Sequence, residues 1–186
     1  MSKIFGRFAA LREVTACFQQ GRVYAIFGDN GAGKSTLLRV ICGLARPTAG
    51  TVRIFGSRER GEFTARLGYM GHAPMLYDEM TGIENLRYFA GLYGIGGGTR
   101  CEQAIVAVGL DPALTRHVGD YSQGMRQRLS LARAAIHDPE ILLLDEPFSN
   151  LDPGSARAMG QLVAGMRDRG KTVLVVTHQA AHLAGI

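Results

Sequence analysis

The sequence predicts an α/β fold built on a mostly parallel β-sheet. Short apolar runs rich in β-branched residues alternate along the chain with segments whose apolar residues recur at helical spacing. A glycine-rich loop joins the first such run to the first helix, and residues from about 73 to 137 show helical patterns without strands. Because strands that alternate with helices form parallel sheets, we expect a sheet core, residues 1–72 and 138–186, that carries a helical insert.

The composition is that of one globular domain of ordinary size. The chain has 186 residues, of which 46% are hydrophobic and 20% charged, and these values exclude a disordered or fibrous protein. Lys and Arg number 21 against 16 Asp and Glu, and the net charge of +5 suits an anionic partner without requiring one. The basic residues are scattered, so no tail that binds nucleic acid is indicated.

The three cysteines and the absence of long apolar runs indicate which cellular compartment, and which relation to a membrane, the sequence favours. Cys17, Cys42 and Cys101 are widely spaced and form no CxxC pair, so we expect neither a disulfide framework nor a zinc site. The first residues lack the apolar stretch of a signal peptide, and no apolar run approaches the ~18 residues that span a bilayer. We therefore expect any membrane role to come through a partner protein.

The first part of the predicted core contains three strands and a helix. Residues 23–27 form an apolar run before the glycine-rich loop, and the helix after the loop is expected to end at Pro47. Residues 51–55 are rich in β-branched side chains and lie between two glycines, which predicts a second strand. A weaker apolar run at residues 67–70 predicts a third.

The helical insert and the last elements follow in order. Thr81 and Glu84 form a capping box at the start of one helix, and glycines at 94, 96, 97 and 98 separate it from a second helix at residues 101–108. A third helix is predicted at residues 122–136. The core then resumes with a strand at 141–144, a helix at 153–167 and a strand at 172–176.

The glycine-rich loop is a phosphate-binding motif. Residues 28–35, GDNGAGKS, match the pattern GxxxxGK[ST] between a strand and a helix. Glycines let successive N–H groups point at phosphate oxygens, and the helix adds its positive end. Lys34 is placed to neutralise phosphate charge and Ser35 to bind Mg²⁺. The residues predicted to bind the nucleotide here are Gly28, Asp29, Asn30, Gly31, Ala32, Gly33, Lys34, Ser35 and Thr36.

Polar side chains also follow two later strands. Asp145 and Glu146 come directly after the apolar run at 141–144, and His178 follows the run at 172–176. Ligands bind at the carboxyl ends of strands in open α/β sheets, so these residues are expected to meet the phosphate loop. Beside a phosphate loop, Asp145 would hold Mg²⁺ and Glu146 would take the proton from attacking water. The alternatives are a solvated acidic pair and a surface histidine.

The segment around Ser122 provides a second helix start suited to an anion. Ser122 is a good N-cap, and Gly124 leaves backbone N–H groups approachable. An ordinary capped helix would have the same features. Both this helix start and the phosphate loop could hold one nucleotide if two copies of the protein faced each other.

Taken in order, these motifs resemble the ATP-binding subunits of ABC transporters. The phosphate loop, residues 121–133, residues 141–147, residues 149–152 and His178 occur in the family's sequence order. The resemblance implies a P-loop NTPase fold with a small antiparallel β portion beside the parallel sheet, and ATP and Mg²⁺ as cofactors. It also implies that Ser122 and Gly124 contact the γ-phosphate bound to the opposite subunit, that Asp152 lies in the loop crossing the dimer interface, and that His178 senses the γ-phosphate. Phe5 stands where the family places an aromatic ring against adenine, and a core phenylalanine is the alternative.

The sequence departs from the family pattern at several positions. Tyr121, Gln123 and Met125 replace three residues of the signature LSGGQ, whereas the phosphate-facing pair remains. The family usually has a metal-contacting glutamine where this chain has His72, whose imidazole could bond the attacking water or approach Mg²⁺. Relatives usually begin with more strand residues and continue further past the switch histidine, so both ends are expected to be incomplete.

The resemblance implies an ATPase that powers export through a separate membrane subunit. It implies a homodimer on the cytoplasmic face of the inner membrane, no direct contact with nucleic acid, and docking of the membrane subunit around residues 72–80. The Gly-His pair at 71–72, residues 81–86 and the compact length are similar to the heme-exporter subunits of cytochrome c maturation. Three alternatives stay open: a soluble ABC-class ATPase acting on nucleic acid or ribosomes, a non-hydrolysing nucleotide-binding module, and a nucleoside kinase.

Overall fold

A computed structural model describes residues 1–96 and 98–183. The strands are β1 (Lys3–Phe5), β2 (Phe8–Leu11), β3 (Val23–Ile26), β4 (Leu67–Met70), β5 (Ile141–Asp145) and β6 (Thr172–Val176). The α-helices are α1 (Lys34–Ile41), α2 (Arg60–Phe63), α3 (Gly82–Leu92), α4 (Gly98–Ala107), α5 (Gln123–Ala135) and α6 (Pro153–Asp168). Short 3-10 turns lie at Thr64–Arg66, Val118–Asp120 and Ala180–Leu183.

The main sheet has four parallel strands in the order β3-β6-β5-β4. All five residues of β6 are buried, as are all but the first residue of β5. Continuous apolar runs of this kind belong to strands covered on both faces. The predicted α/β fold with a parallel sheet is confirmed, and all four carboxyl ends lie at the same edge of the sheet.

A separate two-stranded hairpin supplies the small antiparallel part of the fold, which is also confirmed. Strands β1 and β2 pair antiparallel with Phe5 opposite Phe8. The hairpin packs against the start of α1, because a Cβ at Gly33 would collide with the carbonyl oxygen of Ala10 in β2. The hairpin therefore borders the phosphate loop.

The predicted strand at residues 51–55 is wrong. Ser2 forms an antiparallel bridge with Ala49, after which Gly50 has a φ of +81°. Further on, Ile54 bridges to Ser57 around Phe55, whose φ is +52°. The β-branched side chains are present, but none of the strands in residues 1–96 and 98–183 pairs with residues 51–53.

The helix after the phosphate loop also ends earlier than predicted. It stops at Ile41, and the N–H of Cys42 donates to the carbonyl of Leu38. Gly43 follows with a φ of +83°, the left-handed conformation that commonly ends helices. Gly43, rather than Pro47, therefore terminates this helix.

The helical insert is formed by α3, α4 and α5. Its predicted capping box is present, with the Glu84 N–H donating to Thr81 Oγ1 at 3.3 Å and the Thr81 N–H donating to Glu84 Oε2 at 2.8 Å. The three helices share an apolar cluster that includes Leu86, Ile105 and Leu129. Of the four glycines predicted to break the chain here, Gly97 lies outside the described residues.

Substitution of Gly68 in β4 tests how closely the sheet packs against the insert. A Cβ at this position would collide with the carbonyl oxygen of Ala134 and stand 2.8 Å from Leu142 Cδ2. We expect Gly68→Ala to lower the free energy of unfolding by ~1–3 kcal/mol, the usual cost of overpacking a core, as measured by urea denaturation.

Gly91 in α3 is the matched control, because a Cβ there meets nothing within 4 Å. Gly91→Ala should raise the free energy of unfolding by up to ~1 kcal/mol through helix propensity. Equal effects of the two substitutions would contradict the close packing at Gly68.

Candidate functional site

The phosphate loop joins β3 to α1 and depends on glycine at defined positions. Gly31 and Gly33 have φ values of +83° and +87°, a region that L side chains rarely adopt. At Gly33 the carbonyl of Ala10 also occupies the place of a Cβ. Backbone geometry and space together therefore exclude any side chain at residue 33.

Lys34 is the first residue of α1, and its side chain folds back over the loop. Its Nζ donates to the carbonyl oxygens of Gly28 at 2.6 Å and Asp29 at 2.8 Å. The first turn of α1 contains no acidic residue, so the positive end of the helix is not neutralised by its own side chains. A positive charge and free backbone N–H groups thus face the same space.

A cavity of about 480 Å³, here called the P-loop cavity, opens above this loop. Its lining combines the loop, the hairpin and the carboxyl ends of the sheet strands. The residues that line it are Phe8, Ala10, Asn30, Gly31, Gly33, Lys34, Ser35, Thr36, His72, Glu146, Ser149 and His178.

Asp145 lies behind the cavity at the end of β5 and is fully buried. Ser35 Oγ donates to Asp145 Oδ1 at 2.9 Å, while Oδ2 is buried without a hydrogen-bond partner among the described residues. Burial raises the pKa of Asp145, and the Ser35 hydrogen bond and the charge of His72 oppose that rise. A carboxylate oxygen left bare beside a hydroxyl is a donor set that suits Mg²⁺, which prefers oxygen ligands. Among the described residues, no cluster of three or more His, Cys, Asp or Glu is arranged to hold a metal.

Glu146 and His178 meet at the ends of neighbouring strands. His178 Nδ1 lies 3.0 Å from Glu146 Oε2, and the side chain of Glu146 is 12% exposed while that of His178 is 49% exposed. The Glu146 N–H donates to the carbonyl of Val176 at 2.8 Å and extends the pairing of β5 with β6 by one residue. Glu146 has a φ of +54°, a conformation uncommon for a residue other than glycine.

The structure does not bring Ser122, Gly124 and Asp152 to the P-loop cavity; none of the three is among its described lining residues. They lie together elsewhere, at the starts of α5 and α6. Ser122 Oγ accepts from the Met125 N–H, and Asp152 Oδ1 accepts from the N–H groups of Gly154 and Ser155. A Cβ at Gly124 would stand 2.5 Å from Ser155 Oγ, so glycine permits the two helix starts to approach.

Three residues that line the cavity, Phe8, Ala10 and Ser149, were missed by the sequence analysis. Phe8, which is 63% exposed, lines the cavity, whereas Phe5 stands opposite it in the hairpin with Lys3 Nζ 4.7 Å from its ring centroid. Ser149 lines the cavity too, and only its place in the run 149–152 could have indicated it. Phe5 and Phe8 are paired across the hairpin on the same face, and residue type alone could not show which of the two rings borders the cavity.

Residues 11–149 match the protein family described as ABC transporter. The chain belongs to this family. The chain is 37% identical over 184 residues to the probable multidrug ABC transporter ATP-binding protein YbhF of Escherichia coli. The aligned region covers 96% of this chain and 32% of YbhF. It is 35% identical to the bacitracin transport ATP-binding protein BcrA of Bacillus licheniformis, covering 96% of this chain and 60% of BcrA. It therefore spans about a third of YbhF and less than two thirds of BcrA.

A solved structure shows the same fold for an ABC cassette. The dimeric, post-hydrolysis structure of the ATP-binding cassette MJ0796 bound to ADP and Pi superposes with a TM-score of 0.87 at 27% identity. The superposition covers 98% of this chain and 86% of MJ0796. The predicted ABC ATPase cassette fold is thereby confirmed.

The raised pKa of the buried Asp145 predicts the direction in which stability changes with pH in the protein without metal or nucleotide. Because burial raises its pKa above the ordinary 3.8, the folded state holds the proton more tightly than the unfolded state. The contribution of Asp145 to the free energy of unfolding therefore falls as pH rises from about 4 through the raised pKa. We expect Asp145→Asn to become steadily more stable relative to the natural chain across that range.

Urea denaturation of the natural chain and of Asp145→Asn, in EDTA from pH 4 to 7, measures this difference in the free energy of unfolding. Glu140→Gln is the matched control, because Arg66 lowers the pKa of Glu140 and the sign is reversed. A difference between the natural chain and Asp145→Asn that does not change with pH would contradict the assigned cause.

Proposed function

We propose that this chain binds and hydrolyses ATP as the ATP-binding subunit of an ABC exporter. The observation that carries the proposal is the P-loop cavity, where a phosphate-binding loop, a hydrogen-bonded Glu146 and His178, and the Ser35–Asp145 pair converge. None of these features alone specifies hydrolysis. Together they provide phosphate binding, a base and an oxygen-rich cation site within one cavity.

The chain's own loop would hold the triphosphate. The backbone N–H groups between Gly28 and Ser35 would donate to phosphate oxygens, and Lys34 would exchange its carbonyl partners for the β- and γ-phosphates. Ser35 and Asp145 would hold Mg²⁺, which when bound neutralises phosphate charge. The loop and α1 thus orient the γ-phosphate towards Glu146.

Glu146 is proposed as the general base that takes a proton from the attacking water. Its carboxylate is nearly buried yet lines the cavity, and His178 holds one of its oxygens at 3.0 Å. This contact orients the carboxylate and leaves the second oxygen for water. His178, half exposed, would contact the γ-phosphate, and His72 would bond the same water from the neighbouring strand end.

The second half of the phosphate site is proposed to come from another copy of the chain. Ser122 and Gly124 belong to a helix start with no acidic residue in its first turn, and they do not line the P-loop cavity of their own chain. A two-fold dimer would place this helix start, with Asp152 beside it, over the partner's cavity. ATP would then close the dimer and hydrolysis would open it.

The partner in transport is proposed to be an integral membrane subunit. No helix among the described residues is long and apolar enough to cross a membrane. The segment after His72 exposes Met75 (50%) and Tyr77 (38%) beside the insert, at the boundary proposed near residue 73 between core and insert. The docked ATPase would lie on the cytoplasmic face of the membrane.

The cargo is proposed to be a drug or peptide rather than heme. The sequence motifs alone suggested the heme-exporter group, but YbhF carries a multidrug name and BcrA a bacitracin name. Both relatives are similar to this chain over 96% of its length. Drug or peptide export therefore replaces heme export as the finer proposal.

Substitution of Glu146 separates hydrolysis from binding. Glu146→Gln keeps the shape of the side chain and a contact with His178 but removes the base, so we expect ATP hydrolysis to slow by ~10²–10⁴-fold with ATP affinity unchanged. Phosphate release and fluorescent-nucleotide binding measure the two effects. Glu140→Gln, in a surface pair with Arg66, is the matched control and should hydrolyse normally.

Mixing two inactive variants tests whether the site is shared between copies. Lys34→Ala should remove phosphate binding, and Ser122→Asp should keep a good N-cap while it places a carboxylate against the partner's triphosphate. We expect each variant alone to lose activity at least tenfold. An equal mixture should recover up to about a quarter of normal ATPase activity, because half of the random dimers then hold one intact site.

Ser122→Asn, which caps the helix without adding charge, is the control and should lose less activity than Ser122→Asp. If the mixture of Lys34→Ala and Ser122→Asp stays inactive although cross-linking shows that mixed dimers form, the shared-site proposal is contradicted.

A further inference from the structure

A cavity of about 370 Å³ is lined by residues of α4, α5 and α6, so it lies where the insert meets the core. Its lining residues fall between residues 100 and 171, and none of them lines the P-loop cavity. The volume is within the range of ~300–1,000 Å³ that small-molecule sites occupy, and such sites favour boundaries between packed units. We call this cavity the insert groove.

Most of the lining of the insert groove is apolar. Ala104 of α4 and Ala135 of α5 contribute small side chains, and Leu162 and Met166 of α6 contribute larger ones. Leu162 packs against the hydrophobic clusters of both the core and the insert, yet it stays partly exposed. Covering this surface with an apolar chain is favourable, because it removes apolar area from water.

The charged lining residues gather at one end of the groove, where α4 begins and where α5 and α6 end. Arg100 Nε donates to the carbonyl at the C-cap of α5 at 2.9 Å, and Lys171 Nζ donates to Asp138 Oδ1 at 2.6 Å. Arg169 is the C-cap of α6, and its Nη1 would stand 3.7 Å from a Cβ at Gly165. The other lining residues are uncharged, so the groove has one charged end and an apolar remainder.

The charge at this end is positive. Three cations line it together with the single carboxylate of Asp138. The ends of α5 and α6 each add a partial negative charge of about half a unit, which leaves a net charge of roughly +1. The guanidinium of Arg169 has no hydrogen bond or ion pair with any described residue, and the Nη groups of Arg100 have none either. Guanidinium N–H groups of this kind match the planar oxygens of a carboxylate.

We propose that the insert groove binds a free medium-chain fatty acid, with its carboxylate between Arg100 and Arg169 and its chain along the apolar residues of α5 and α6. A groove with one cationic end and an apolar remainder is complementary to a molecule with one anionic end and an apolar remainder. A neutral apolar ligand would make no use of the guanidinium groups, and a small anion would leave the apolar surface in water. Because α4 belongs to the insert and α6 to the core, the bound molecule would contact both.

Methionine methyl NMR on the whole chain tests the proposal, with octanoate below its micelle concentration as the probe. Met166 lines the groove, whereas Met75 is exposed outside it, and Met166→Leu assigns the first signal. We expect octanoate to shift the Met166 methyl signal in a saturable way and to leave that of Met75 unchanged. Octan-1-ol carries only the chain and acetate only the carboxylate, so each should bind at least tenfold more weakly.

Two variants test the two ends of the groove separately. Arg169→Gln removes a guanidinium that has no partner among the described residues, and it should weaken octanoate binding at least fivefold. Ala107→Phe, at an exposed lining position of α4, places a ring in the groove and should weaken binding at least tenfold. Arg58→Gln, at an exposed arginine outside the groove, is the matched control and should bind octanoate normally. A cooperative unfolding transition close to that of the natural chain would show that each variant folds.

No shift of the Met166 signal, equal binding of octanoate and octan-1-ol, or unchanged octanoate affinity in both Arg169→Gln and Ala107→Phe would each overturn the proposal.

Discussion

The hydrogen bond from Ser35 to Asp145 is the contact on which the site depends. It joins the start of α1 to the end of β5 across 110 residues of sequence and fixes the phosphate loop against the sheet. The bond covers only one oxygen of a fully buried carboxylate and leaves Oδ2 bare. Burying a carboxylate that is only partly hydrogen-bonded is unfavourable for the fold, and a bound cation, as proposed above, would offset that cost.

Much of the fold and the site could be predicted because local pattern and motif spacing coincide here. Strands β3, β5 and β6 are continuous apolar runs, and their parallel pairing brings the residues that follow them to one edge of the sheet. The sequence alone therefore predicted that Glu146 and His178 lie close together. The strand predicted at residues 51–55 was wrong because a run of β-branched residues favours extended backbone but does not provide a neighbouring strand to pair with. Phe8 was missed because residue type does not show which of two paired aromatic rings, Phe5 or Phe8, borders the cavity.

The two halves proposed for the phosphate site are built by different means. The P-loop half is positioned by glycine conformation and by the hairpin behind Gly33. The other half consists of two helix starts that meet where Gly124 faces Ser155, and each is capped by its own Ser122 or Asp152. Ser122 caps only the Met125 N–H at the start of α5, so in the proposed dimer the partner's phosphate would meet the N–H groups that the cap does not use.

The segment after His72 is also tied to the start of α5, and the strength of that connection comes mainly from the backbone. Arg126 donates to Asp78 at 2.6 Å, but Asp78 is 57% exposed and a surface ion pair of this kind contributes little. Beside it, the Val118 N–H donates to Met80 at 2.8 Å and the Gly119 N–H donates to Asp78 at 2.9 Å, and the Thr81–His117 bridge adds to them. The start of α5 therefore cannot shift relative to residues 78–81 without breaking backbone hydrogen bonds. In the proposed transporter, a membrane subunit that moved this segment would therefore also move Ser122.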